Sequence, residues 1–234
     1  MDFGPFDQRG YRTVDVETGY AAWSTNYERT VQDEMDLRLL ERAASVPWKQ
    51  LERALDLACG TGRTGAWLKQ AGVRHIDGVD RTEAMLALAR GRQVYAELHR
   101  GDVRETGLRS GTYDLAIQVL ADEHLPDLAP LYAEAARLTT RAGRFVLVGY
   151  HPLFLLMGIP THFDDADGEP VAIESYVHLF RDHFRAARGA GWQLAELDEG
   201  VIDEAWLAKK PKWAKYRDRP VSFLMAWEKT VAAD

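Results

Sequence analysis

The chain has 234 residues, 46% of them apolar, a formal net charge of −7 and a single cysteine, Cys59. That length allows one sizeable core, the acidic balance argues against non-specific nucleic-acid binding, and a lone cysteine excludes an intrachain disulfide and suits a reducing, cytoplasmic setting. The first residues lack the basic and apolar regions of a secretory leader, and the longest apolar stretch, 145–159, is too short and too interrupted to span a membrane.

Residues 1–19 read as irregular. From about 20 to 45 the pattern is helical, with Val31, Met35, Leu39 and Ala43 at turn spacing, and Pro47 ends it. A strand over 54–57 runs into a glycine turn. A helix carrying Ala66, Trp67 and Leu68 follows and stops at Gly72. A second strand, 76–79, ends on Asp80, and a helix with Met85, Leu88 and Ala89 closes at Gly91. A short strand near 95–98 leads to Gly101-Asp102, and 114–119 is a fourth strand. Leu128, Leu131, Tyr132, Ala135 and Leu138 form one apolar helical stripe, stopped by Gly143 before a fifth strand, 144–148. A loop-rich insertion runs from 150 to about 171. A second amphipathic helix over 173–188 places Ile173, Tyr176, Val177, Phe180, Phe184 and Ala187 on one face. A sixth strand, 192–197, a basic aromatic stretch, 205–219, and a last strand, 221–227, complete the pattern. Alternating strands and helices predict an α/β fold, a Rossmann-like, mostly parallel sheet with helices on both faces. No strong crossover helix precedes the last strand, which is therefore expected to run antiparallel. No linker divides the chain, so 1–234 reads as one domain, with 1–46 as an N-terminal helical lid and 150–190 and 200–219 as substrate-side insertions.

Asp56-Leu-Ala58-Cys-Gly60-Thr-Gly62 and the acidic Asp80 twenty residues beyond Gly60 have the spacing of a nucleotide-type cofactor site on a β-α-β unit. Asp56 narrows the cofactor. A buried carboxylate beside a phosphate would repel it, whereas beside an amino-acid ammonium it attracts. S-adenosylmethionine combines a ribose, an adenine and an amino acid without phosphate.

These residues resemble the class I S-adenosylmethionine-dependent methyltransferases, more narrowly the small-molecule "type 11" or ubiquinone-methyltransferase-like branch, over about 20–150 and the terminal strand pair. The resemblance implies a seven-stranded sheet with an antiparallel seventh strand. In it Asp56, Ala58, Gly60 and Gly62 form the first motif, Ala58 standing where the family has its first glycine. Asp80 holds the ribose hydroxyls, and Arg81 beside it counts with the cofactor site. Asp102 and Val103 meet the adenine, and Gln118 on the fourth strand lines the cofactor. Tyr20 and Tyr27 would close over it as part of the lid, with Tyr11 and Trp23 nearby.

In-line methyl transfer needs alignment of the acceptor, and a base only where the acceptor must lose a proton. The carboxyl ends of the fourth and fifth strands present two histidines. His124 is the first candidate base, with capping of the helix near Pro126 as its structural alternative. His151 is the second, its alternative being to orient the Pro152 turn. Asp122 and Glu123 suit a cationic acceptor or a solvated helix start. His162, Asp164, Asp165, Asp167, His178 and His183 match no compact metal-ligand spacing, so no metal is expected. The basic run from Lys209 to Arg219 reads first as a solvated helix face, then as a rim attracting an anionic small molecule. The leading expectation is methyl transfer to oxygen or nitrogen, less readily carbon, of a small organic molecule, without nucleic-acid or membrane partners. The alternatives are a non-catalytic cofactor-binding regulator and an NAD(P)-dependent oxidoreductase.

Overall fold

The structure is a computed structural model that describes residues 1–31 and 35–230. Its elements in chain order are β1 (Arg12–Val14), α1 (Val16–Trp23), α2 (Tyr27–Thr30), α3 (Leu37–Arg42), β2 (Arg53–Leu57), α4 (Arg63–Ala71), β3 (His75–Asp80), α5 (Glu83–Arg92), β4 (Glu97–Arg100), β5 (Tyr113–Val119), α6 (Ala129–Leu138) and β6 (Thr139–Tyr150). They continue with α7 (Pro152–Leu156), β7 (His162–Asp164), β8 (Pro170–Ile173), α8 (Phe180–Gly189), β9 (Trp192–Val201), α9 (Glu204–Lys209) and β10 (Pro220–Lys229).

Seven strands form one sheet in the order β4-β3-β2-β5-β6-β10-β9. The pairs from β4 to β6 are parallel, and β10 runs antiparallel to both β6 and β9. The period of two along each strand sorts side chains between two cores. Leu55, Leu57, Phe145, Leu147, Phe223 and Met225 pack with Leu131, Tyr132 and Ala135 of α6 and Ala187 of α8. Their neighbours Ala54, Val146, Val148, Leu224 and Ala226 pack with Leu39 and Leu40 of α3 and Leu68 of α4. Both faces of the sheet are thus covered by helices, as the near-continuous apolar runs of these strands require. The order also sets β2 beside β5, and the loops leaving their carboxyl ends carry the glycine turn and residues 120–125.

Three segments depart from the sequence reading. The helix expected over 20–45 is three short helices, and residues 32–34 of it lie outside the described residues. Asp15 caps α1 by accepting from Thr18 N at 3.0 Å, and Asp36 starts α3 afresh by accepting from Leu37 N at 2.7 Å; these two start signals outweigh the longer apolar periodicity. The helix expected over 173–188 begins only at Phe180. Leu179 N donates to Asp182 Oδ2 at 3.0 Å there, while Ile173 belongs to β8. Gly143 does not end α6, which gives way to β6 at Thr139.

A further departure is a second sheet, of order β1-β8-β7. β1 pairs in parallel with β8, Arg12 opposite Val171 and Val14 opposite Ile173, and β7 pairs antiparallel with β8. The lid and the insertion are therefore one substructure rather than two appendages. Strands of three or four residues carry too little periodicity to be read from sequence. Ion pairs tie the lid to the large sheet's periphery: Arg100 with Glu17 at 2.7 Å, Arg92 with Glu28 at 2.7 Å, and Arg63 with Asp36 at 3.0 Å.

Candidate active site

A cleft of about 690 Å³ opens at the carboxyl ends of β2, β3 and β5, lined by Ala58 and Gly60 of the glycine turn, Asp80, Asp102 and His124, with Tyr20 and Tyr27 of the lid opposite. Ala58 and Gly60 both hold positive φ, 59° and 52°. That conformation curls the chain so that its backbone faces the cleft. A Cβ added at Gly60 would meet no atom within 4 Å, so the open space beside this glycine belongs to the cleft.

Asp80 is 7% exposed and accepts from Gly60 N and from Thr82 N, each at 2.8 Å. Burial raises its carboxyl above the usual range, against the pull of those two N–H groups. It joins the glycine turn to the start of α5 and still faces the cleft. Asp102 is held by Arg104, whose Nη2 and Nε donate at 2.6 and 2.9 Å, and this lowers its carboxyl.

The turn after β5 is strained and fixed. Leu120 has φ 53° although it carries a Cβ, a conformation that costs of order 1–2 kcal/mol. Gln118 is fully buried, and with its amide oriented to meet its donors its oxygen accepts from Ala121 N at 2.6 Å and Asp122 N at 3.2 Å. The turn presents His124 to the cleft. Its Nδ1 lies 2.7 Å from Glu174 O. A carbonyl only accepts, so Nδ1 carries the hydrogen and Nε2 keeps its lone pair. The Tyr20 hydroxyl donates to that Nε2 at 2.9 Å, and burial keeps Tyr20 protonated by pushing its phenol well above the usual value. Glu123 Oε1 lies 3.5 Å from the same nitrogen.

Residues 55–147 match the family described as a methyltransferase domain. Over that stretch the chain matches a methyltransferase domain, and the fold around it is that of S-adenosylmethionine-dependent methyltransferases. The match is to the type 11 kind of methyltransferase domain. Among solved structures, the S-adenosylmethionine-dependent methyltransferase from Mesorhizobium loti is 24% identical, with a TM-score of 0.65 over 80% of this chain and 94% of that one. DhpI in complex with SAH is 16% identical, with a TM-score of 0.66 over 92% and 95%. A complex between the Haloferax volcanii Trm112 methyltransferase activator and a methyltransferase gives 18% identity and a TM-score of 0.72 over 94% and 100%. At these identities the likeness is one of fold. No functionally curated protein matches the sequence.

The cleft fits the cofactor of that domain, S-adenosylmethionine. The glycine cradle, the Asp80 carboxylate and the lid tyrosines suit a ribose, an adenine and a sulfonium, and Arg81 is the one arginine or lysine on the lining among the described residues. Arg81, Val103, Tyr20, Tyr27, Ala58, Gly60, Asp80, Asp102 and His124, all singled out from the sequence, line this cleft. Val16, Thr82, Met85, Leu120 and Leu125 also line the cleft. Thr82 and Met85 follow Asp80 closely enough to be found from it, whereas Val16 carries no local signal.

Four expected site residues lie elsewhere. Asp56 is 1% exposed and sits beneath the glycine turn, where its Oδ2 accepts from the Tyr95 hydroxyl at 2.7 Å. Burial pushes its carboxyl up to about 7. Gly62 faces Arg92 and Tyr95, which lie within 3.0 Å of where its Cβ would stand. Gln118 supports the turn from behind. His151 accepts from Leu153 N through Nδ1 at 3.1 Å and donates through Nε2 to Glu199 Oε1 at 2.8 Å. It starts α7 and ties it to β9, which corrects its reading as a second base.

His178 Nε2 donates to Leu125 O at 2.7 Å, and His183 is buried against the Tyr132 hydroxyl at 3.0 Å, its imidazole pushed down to about 3 by burial. Both serve the packing of the α6–α8 layer. Among the described residues no group of three His, Cys, Asp or Glu side chains is placed to hold a metal ion, and no helix is long and apolar enough to cross a membrane.

Proposed function

We propose that this methyltransferase acts on an oxygen or nitrogen of a small organic molecule, with His124 as the general base. The hydrogen bond from Tyr20 to His124 on the cleft wall carries this reading. The cofactor supplies an electrophilic methyl group on a sulfonium. Asp80 and the Gly60 backbone orient it, and Tyr20 and Tyr27 shut water from the lid side. The Tyr20 hydroxyl takes the proton that the acceptor sheds as it passes its own to His124 Nε2, and Glu174 O holds the ring through Nδ1. Carbon acceptors that lose no proton would leave this pair without a task, which favours oxygen and nitrogen.

The chain reads as a single domain in which β1, β7 and β8 form the substrate side. A cleft shut in by lid aromatics suits a small molecule better than a polymer, and with the charge of −7 it supports a cytoplasmic enzyme without nucleic-acid or membrane partners.

The test incubates the protein with S-adenosylmethionine and a panel of phenols, carboxylic acids, amines and N-heterocycles, reading S-adenosylhomocysteine. Product with an oxygen or nitrogen acceptor, reduced about 10²- to 10⁴-fold in His124→Ala with cofactor affinity retained, supports the role. Cofactor binding without product from any acceptor would favour a regulatory binding protein. Full turnover in His124→Ala would remove it as the base.

A further inference from the structure

A second cavity, of about 1090 Å³, lies on the far side of the lid aromatics. Tyr20 and Tyr27 line the cofactor cleft, whereas Trp23 lines the second cavity. Trp23 and Tyr27 have ring centroids 4.9 Å apart, so the two spaces adjoin at these rings. Leu120 lines the cleft and also packs into the apolar cluster of Phe154, Ile159, Trp206 and Val221 that walls the cavity.

The cavity walls are flat. Trp23 stacks on Phe163 at 5.7 Å and 15°, and Phe154 stacks on Trp213 at 5.6 Å and 21°. Offset rings of this kind present planar apolar surface at small entropic cost. The polar lining is mainly cationic: Arg29, Lys210 and Lys212 against the single carboxylate of Asp164 among the described residues. Lys210 Nζ donates to Thr30 O at 3.2 Å and lies 5.8 Å from the Trp206 ring, with no carboxylate partner among the described residues. Burial first, and then the charge of Lys212, lowers its ammonium. An anion in the cavity relieves both effects, and a neutral molecule relieves neither. The basic run read from sequence as a solvated helix face thus sets the half-buried Lys210 in the cavity wall and leaves the exposed Lys212 at its rim.

We propose, on the reading that the adjoining cleft transfers methyl groups, that this cavity receives the acceptor, and that the acceptor is a flat apolar molecule carrying an anionic group. Lys210, with Arg29 and Lys212, holds the anion, and the stacked rings hold the plane.

Paired probes of equal shape test this: 1-naphthoate and 1-naphthamide, titrated into the full chain saturated with S-adenosylhomocysteine and followed by quenching of tryptophan emission. The acid should bind about tenfold more tightly than the amide, as a charge-assisted contact allows. Lys210→Gln should erase most of that preference. The double variant Arg29→Gln with Lys212→Gln, both more solvated positions, should reduce it without disturbing the fold. Equal binding of acid and amide, binding of neither, or a preference that survives both variants would overturn the proposal. S-adenosylhomocysteine affinity in the same preparations separates the two readings. Its loss would strike the cofactor cleft, and its retention with no naphthoate preference would strike only the cavity.

Discussion

The Tyr95 hydroxyl donates to Asp56 Oδ2 at 2.7 Å, and the tyrosine ring lies against Gly62, Gly65 and Gly78. This relationship reassigns much of the glycine motif. Gly60 serves the cleft, but Gly62 and Gly65 leave room for a ring, and Asp56 gives that ring's hydroxyl a buried acceptor. The motif is as much a seat for Tyr95 as for the cofactor.

Tyr95→Phe should therefore lower stability by about 1–3 kcal/mol, since it leaves a buried carboxylate without its partner. The loss should be larger at pH 8, where Asp56 is ionised, than at pH 5. Urea denaturation at both pH values checks it. A variant as stable as the parent at pH 8 would show that the bond adds nothing.

Asp56 also sets a pH dependence. Its carboxyl stands at about 7 in the fold against 3.8 ordinarily. Between about pH 4 and 7 the unfolded chain has released this proton and the folded one keeps it, so stability falls as pH rises through that window. Asp56→Asn, which keeps an oxygen acceptor for Tyr95, should flatten the slope of melting temperature against pH between 4 and 7. An unchanged slope would place the dependence on other buried acids such as Asp80 and Glu123.

Two glycine substitutions should separate fold from ligand. A Cβ at Gly65 would stand 2.3 Å from the Tyr95 ring and hydroxyl, so Gly65→Ala should cost about 1–3 kcal/mol by overpacking. Gly60→Ala meets open space and should cost only the 1–2 kcal/mol or so of its left-handed backbone, yet weaken S-adenosylhomocysteine binding at least tenfold. Thermal melts and calorimetric titrations of both variants test the contrast, and equal behaviour would refute it.

Asp80→Asn removes the one charged side chain that bonds the glycine turn and faces the cleft together. A hydrogen bond to a charged group is worth about 1.5–3 kcal/mol, so S-adenosylhomocysteine affinity should fall about ten- to a hundredfold. Retained affinity would mean that Asp80 only supports the turn.

Local periodicity and spacing were enough to locate the seven strands of the large sheet along the chain, to find the turn at Gly60, and to place Asp80 at one strand end and His124 beyond another. Those features depend on residues a few positions apart, where side-chain direction follows from the period of the element. Pairings between distant residues leave no such trace. Tyr95 meets Asp56 across the first β-α-β unit, β1 joins β8 across most of the chain, and His151 turns to Glu199 on a neighbouring strand rather than to the cleft. Each is decided by which elements the sheet order brings side by side. The division of labour between His124 and His151 was accordingly open in the sequence: both follow strand ends, and only packing puts one beside Tyr20 and the other beneath α7.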